Sequence, residues 1–252
     1  QNVYQYWTYD SLNIIHRYGE VGFDYYRGNS LSLIYTLDLQ KRSYLSNMLP
    51  SGGFSLDTKI SYEWNRFMNG FSVSEEYSTF GANLVPHNTF RFTAIFQKHF
   101  TFNVKRKIVG SIKTKFGGLS DPSIDDFFHF FNGGLTGMKG YTFYESSLTG
   151  PHYIINTISF RYPLILESNI PILHLNFQNL SIGSIFQFGG ASNEKFIDIK
   201  DNYKLSVGFE CRLHGFSFYS YPTAISYEYH KPIDNIEIGK HYLTILFDFL
   251  GD

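Results

Sequence analysis

The chain has one cysteine in 252 residues, Cys211, which excludes an intrachain disulfide and a metal site built from cysteines. Charge is scarce: Asp, Glu, Lys and Arg make up 17% of the residues, against roughly 25% in soluble domains. The 21 basic and 22 acidic residues leave a formal net charge of -1, so no electrostatic surplus supports a nucleic-acid partner. No run approaches the ~20 consecutive apolar residues of a spanning helix, and a mean hydropathy of -0.19 does not suit a bundle of apolar helices. The chain starts at Gln1 without the charged and apolar segments of a secretory leader. It is therefore expected to have lost a leader or to be the C-terminal part of a longer protein, and strand number favours the second.

Aromatics, by contrast, are abundant: 19% of residues, with 26 Phe and 20 Tyr. Many of them alternate with polar residues. Leu31, Leu33, Tyr35, Leu37 and Leu39 alternate with Ser32, Thr36, Asp38 and Gln40. Phe54, Leu56, Ile60, Tyr62 and Trp64 alternate with Ser55, Asp57, Lys59, Ser61 and Glu63; Phe90, Phe92, Ala94 and Phe96 alternate with Arg91, Thr93 and Gln97. Leu205, Val207, Phe209, Cys211 and Leu213 oppose Ser206, Gly208, Glu210 and Arg212, and Tyr221, Ile225, Tyr227 and Tyr229 oppose Ala224, Ser226 and Glu228. A period of two places each set on its own face of a strand.

Further strands are expected at residues 103–116, 154–162, 180–188 and 241–249, and Ser11 to Arg27 reads as one long strand bent at Gly19 and Gly22. Gly28-Asn29-Ser30 reads as a turn, Pro50-Ser51-Gly52-Gly53 as a break and residues 65–87 as a hairpin loop with a short strand. Strand follows strand with no helix between, so neighbours are expected to be antiparallel. Their length is near the 9–11 residues of a tilted membrane strand and above the soluble average of about 5–6. The expected fold is all-β: an antiparallel transmembrane β-barrel with apolar sets toward lipid and Asp57, Lys59, Glu63, Arg91, Arg161, Glu210 and Arg212 toward a wet interior. A secreted β-sandwich is the soluble competitor.

Residues 117–151 interrupt this pattern. Within them, Phe127 to Gly150 (FFHFFNGGLTGMKGYTFYESSLTG) is too aromatic for a free surface loop and too rich in glycine for a helix. Lys139 is its only charge between Asp126 and Glu145. An apolar segment with one cation is expected to fold into the polar lumen with Lys139 directed at Gln187, Glu210 or both, since an ammonium taken out of water needs acceptors.

Several segments together resemble the barrel of the BamA-type outer-membrane assembly and translocation superfamily, the bacterial surface antigen family. Leu49-Pro50-Ser51-Gly52-Gly53 is similar to that family's P-x-x-G strand start, and Met138-Lys139-Gly140-Tyr141 to its V-R-G-F/Y loop motif, with Lys for Arg. Phe160-Arg161-Tyr162-Pro163-Leu164 and Phe186-Gln187-Phe188-Gly189-Gly190 resemble its Y/F-R-F/x-P-L and F-x-D-x-G segments. The ordered set covers about four-fifths of the chain. Residues 215–223 resemble the subgroup whose barrel follows a TolB-like propeller.

The resemblance implies a barrel of roughly sixteen strands, of which residues 1–252 would be the C-terminal part, lacking the first strands and any periplasmic domain. It implies docking of the loop motif Met138, Lys139, Gly140 and Tyr141 on Gln187, Glu210 and Arg161, and a C-terminal strand signal at Phe247 and Phe249. It further implies location in the bacterial outer membrane, work in protein insertion or translocation there, and no cofactor. Its implied partners are outer-membrane lipid, client outer-membrane proteins, and periplasmic accessory proteins or a periplasmic domain. The alternative is a passive channel or a membrane anchor for a periplasmic or surface module. Enzyme chemistry has little support: Asp125, Asp126, His129 and His152 flank the loop without a nucleophile at a telling spacing. His99, His174, His214, His230 and His241 show no metal-ligand spacing.

Overall fold

A computed structural model describes residues 2–4, 7–9, 15–17, 21–41, 51–74, 79–103, 108–218, 221–234 and 238–247. Among these residues there is no α-helix, only three short 3-10 turns. The strands are β1 (Asn2–Tyr4), β2 (Trp7–Tyr9), β3 (Ile15–Arg17), β4 (Val21–Phe23), β5 (Tyr26–Asp38), β6 (Gly53–Ser74), β7 (Thr79–Asn103) and β8 (Ile108–Leu119). They continue with β9 (Phe130–Phe131), β10 (Thr149–Gly150), β11 (His152–Ile165), β12 (Ile170–Ile172), β13 (Leu175–Ser192), β14 (Lys204–Ser217), β15 (Tyr221–Pro232) and β16 (Lys240–Phe247).

Ten strands form one antiparallel sheet in the order β16-β15-β14-β13-β11-β8-β7-β6-β5, with β12 paired to β13. The order follows the chain because each strand turns back beside its predecessor. A long excursion separates β8 from β11, and they pair directly, from His152 opposite Gly118 to Arg161 opposite Val109.

Three local expectations fail, each for a physical reason. Ser11 to Arg27 is broken at residues 24–25, between β4 and β5; upstream, β3 pairs β2 and β4 pairs β1 in ladders offset by one residue, and residues 11–14 and 18–20 lie outside the described residues. Gly28-Asn29-Ser30 is not a turn but lies inside β5. Gly28 is needed for space there, because a Cβ would collide with the Tyr26 phenol, which folds across it to donate to Asn65 Oδ1 at 2.8 Å. Residues 65–87 are not mainly loop: β6 runs on to Ser74 and β7 starts at Thr79, giving strands of 22 and 25 residues. Cross-strand pairing overrides the turn-forming residues in that stretch.

Burial along the strands is inverted relative to a soluble sheet. Ser55, Ser61, Ser159, Ser181, Ser206, Glu210, Ser226 and Glu228 are buried, while Leu33, Ile60, Trp64, Phe160, Val207, Phe209 and Leu243 are exposed. Cys211, between Phe209 and Leu213 on the apolar side of β14, is free and partly exposed. Among the described residues no helix is long and apolar enough to cross a membrane, a statement that does not bear on crossing by strands.

Contacts divide the chain into two compact units, residues 1–33 with 60–91 and residues 34–59 with 92–252. The first is held by side-chain pairs on neighbouring strands. Arg91 Nε donates to Glu63 Oε1 at 2.8 Å, Ser32 and Ser61 share a hydrogen bond, and the Tyr62 ring lies 4.5 Å from that of Phe90. The second, larger unit carries the long loop and the only buried apolar cluster found among the described residues: Met138, Tyr141, Leu148, Tyr153, Ile155 and Ala191, with Phe130 against it.

Candidate functional site: a loop packed on a polar sheet face

The loop between β8 and β11 is held together by local pairing. Asp125 Oδ1 accepts from Phe127 N at 2.9 Å and starts a 3-10 turn at Asp126–Phe128. β9 then pairs with β10, bringing Phe130 opposite Gly150 and Phe131 opposite Thr149. Asn132 N donates to Leu148 O and Met138 N to Asn132 O, closing a tight lobe over residues 132–138. On one side of the lobe Phe131 stacks on Phe143; on the other, Met138, Tyr141 and Leu148 are directed at the sheet and are fully buried. Each such side chain removed from water contributes about 1.5–3 kcal/mol.

Five polar contacts then fix Lys139, Gly140 and Tyr141 to the wall. The Lys139 backbone N–H donates to Gln187 Oε1 at 2.8 Å, and the Lys139 ammonium pairs with Glu228. Gly140 N donates to the Tyr242 hydroxyl at 2.9 Å. Gly140 has φ +97°, and a Cβ there would sit 3.2 Å from Pro232 Cδ, so a side chain is disfavoured by both conformation and space. The Tyr141 hydroxyl donates to Leu205 O at 2.6 Å and lies 3.2 Å from Asp234. Burial, and after it the Asp234 carboxylate, raises the pKa of this phenol well above its ordinary value.

Register explains which carboxylate the loop meets. Arg161 on β11 lies opposite Gly183 on β13, Gly183 opposite Glu210 on β14, and Glu210 opposite Glu228 on β15. Two carboxylates directly opposite one another repel, and each has its own partners. Arg161 reaches across β13 to Glu210 at 2.7 Å, over Gly183, where a Cβ would come within 3.2 Å of Arg161 Cγ. Arg212 pairs with the same carboxylate. Glu228 is left for Lys139 and for His230 Nε2, at 2.9 Å.

Of the residues singled out in the sequence, Met138, Lys139, Gly140, Tyr141 and Gln187 are thus brought together. Glu210 and Arg161 sit on the same wall but pair with each other instead of with the loop. The carboxylate facing Lys139 is Glu228, which sequence reasoning placed on the polar face without giving it this role. Its signal was present: Glu228 and His230 are two apart and share a face. Tyr242 and Asp234 were missed and carry no local signal.

Phe247 pairs in the backbone with Thr223, and Phe249 lies outside the described residues. The flanking acidic and histidine residues have local structural partners. Asp125 caps its 3-10 turn, Asp126 pairs with His129 at 3.3 Å, and the His152 ring is 6.2 Å from that of Phe196. Among the described residues no cluster of His, Cys, Asp and Glu is arranged to hold a metal ion.

Beside the docked loop a cavity of about 450 Å³ opens onto the polar faces of β7, β8, β11 and β13–β15. Lys113, Lys115, Lys139, Arg161 and Arg212 line it, with Glu228 as its one lining carboxylate. The arrangement is a charged wall, a pinned loop and a polar chamber between them. No family model matches this chain, and no curated protein matches it.

Proposed function

We propose that this chain is part of an outer-membrane β-barrel of the BamA type and acts in the insertion or translocation of proteins at that membrane. The observation that carries the reading is the loop motif at Met138–Tyr141, held to the polar sheet face through Lys139 and Glu228. It keeps the charge complementarity that the sequence resemblance implies, with Lys in place of Arg and the carboxylate on β15. The inverted faces suit the same assignment, because exposed Leu, Phe and Tyr gain by facing lipid while the Ser, Glu and Arg rows need water or partners.

In this reading the loop acts as a clamp. It ties β13, β14, β15 and β16 together through Gln187, Leu205, Glu228 and Tyr242. Among the described residues the sheet order ends on β5 and β16. An unpaired strand edge in lipid leaves backbone groups unsatisfied, which makes it a template for an incoming strand. Strand addition at such an edge is the physical step proposed for client insertion.

The test is reconstitution of the folded protein in liposomes with a urea-unfolded outer-membrane barrel as client. Client folding, read by heat-modifiable migration on gels, is expected to be faster than in protein-free liposomes. Ion conductance without any acceleration would replace this reading with the passive-channel one. Cys211, the single thiol, is expected to react slowly with a water-soluble maleimide in the same liposomes, and rapid reaction would count against its facing lipid.

A further inference from the structure

The cavity beside the loop carries more positive charge than its partners neutralise. Five cations line it, Lys113, Lys115, Lys139, Arg161 and Arg212. Glu228 takes Lys139, and Arg161 and Arg212 share Glu210. Lys113 and Lys115 have no carboxylate partner. The Lys115 ammonium donates to a neutral acceptor, Thr136 O at 2.8 Å, and Lys113 has no hydrogen-bonded or ion-paired partner among the described residues. The two lysines are two residues apart on β8, so both point to the same polar face. Asp57 and Asp38 act electrostatically on Lys113 and His99, but both are exposed and neither lines the cavity.

Unused donors surround the same space. His99 is 5% exposed, and neither ring nitrogen has a protein partner. Arg212 Nε is likewise buried and unpartnered, and both residues line the cavity. Ser111 and Ser159 share one hydrogen bond at 2.6 Å across β8 and β11 and line the same chamber. A buried donor without an acceptor is unfavourable, and so is a partly buried cation without a counter-charge. Both are satisfied together by an anion with several acceptor oxygens.

We propose that this cavity is a binding site for a phosphate-type oxyanion, held by Lys113 and Lys115 with the free faces of Arg212 and His99. A doubly charged tetrahedral oxyanion offsets two of the three positive charges that remain after Glu228 and Glu210 are counted. It also accepts hydrogen bonds from several directions, which chloride does less well. The ion comes from free phosphate or from the phosphate monoester of a lipid headgroup. The site belongs to the wall and the docked loop, so it stands whether or not the chain inserts proteins.

The experiment is calorimetric titration of the folded protein, in a maltoside detergent free of phosphate, with inorganic phosphate and with short-chain phosphatidic acid. Saturable binding is expected, with at least tenfold weakening in the Lys113→Gln/Lys115→Gln double variant and retention in Lys113→Arg/Lys115→Arg. Lys195→Gln, outside the cavity, is expected to bind as the parent does. Binding of phosphatidic acid alone assigns the headgroup, and binding of phosphate alone or of both assigns the free ion as sufficient.

A second readout needs no variant. Acylation of Lys113 and Lys115 by an amine-reactive ester, followed by mass spectrometry, is expected to slow at least fivefold on adding phosphate, while Lys195 is unaffected. No saturable binding of either probe, equal binding of chloride, or equal protection of Lys195 overturns the proposal.

Discussion

β5 and β14 are equally regular in sequence and differ in what they contact. β5 alternates Leu31, Leu33 and Tyr35 with Ser32 and Thr36, yet it is exposed along almost its whole length. β14 alternates Val207 and Phe209 with Ser206 and Glu210, and its two sides differ sharply: Phe209 is 47% exposed and Glu210 1%. β14 has a strand on each side and the loop residue Tyr141 bonded to its Leu205 carbonyl, whereas β5 ends the sheet order among the described residues. Alternation therefore chooses the two faces of a strand, but a face becomes a packed surface only when something covers it. In this protein the cover is the loop, so the apolar core lies on the polar side of the sheet.

The sharpest way to break the comparison is to remove the cover. Met138→Ala is expected to cost about 2–5 kcal/mol, because it opens a cavity among fully buried neighbours. Leu33→Ala on β5, at a side chain 71% exposed, is expected to change stability in detergent by no more than about 0.5 kcal/mol. Denaturant midpoints of the two variants check this directly, and equal losses would mean that the loop does not supply the core.

Membrane insertion should instead make the two strands alike. If the apolar sets face lipid, Leu33→Arg and Phe209→Arg should each cost about 2–4 kcal/mol in a bilayer near its midplane. Folding yields in liposomes compared with those in detergent measure this. No difference between the two media would place these faces in water.

A smaller effect is expected at the ion pair. Lys139→Ala leaves Glu228 with His230 as its remaining partner and should cost about 1–3 kcal/mol, with the strands still formed. Lys139→Arg should retain most of that stability. A double-mutant cycle with Glu228→Gln is the measurement, and zero coupling would remove Lys139 as the anchor.

The smallest change is expected from Tyr141→Phe, about 0.5–1.5 kcal/mol, through loss of the hydrogen bond to Leu205 O. Its pH dependence has a definite sign. The phenol's folded pKa is raised, so its contribution is fully present below the unfolded value of about 10 and is lost as pH rises from there toward the folded value. Stability should fall above that pH in the parent and fall less in Tyr141→Phe, as read by denaturant titration at pH 8 and pH 11.

Much of this was legible because it depends on neighbours along the chain. The all-β class followed from period-two alternation. The loop stood out because no other stretch combines Gly133, Gly134, Gly137 and Gly140 with so many aromatics. Strand limits were less legible: Gly28 looks like a turn residue, and only the Tyr26 phenol lying across it shows that it serves for space inside β5. Residues 65–74 and 79–87 look like loop, yet pairing carries β6 and β7 through them.

By itself the sequence determined that the protein is built from antiparallel strands with one polar and one apolar face, and that Lys139 is the single charge of an apolar loop. Those properties follow from side-chain spacing along one strand and from composition. Only the tertiary structure decided that Lys139 meets Glu228, that Arg161 crosses Gly183 to reach Glu210, and that Lys113 and Lys115 share one chamber. The physical reason is register: partners on different strands are chosen by how the strands align, and a shift of one residue would turn each of these side chains to the opposite face.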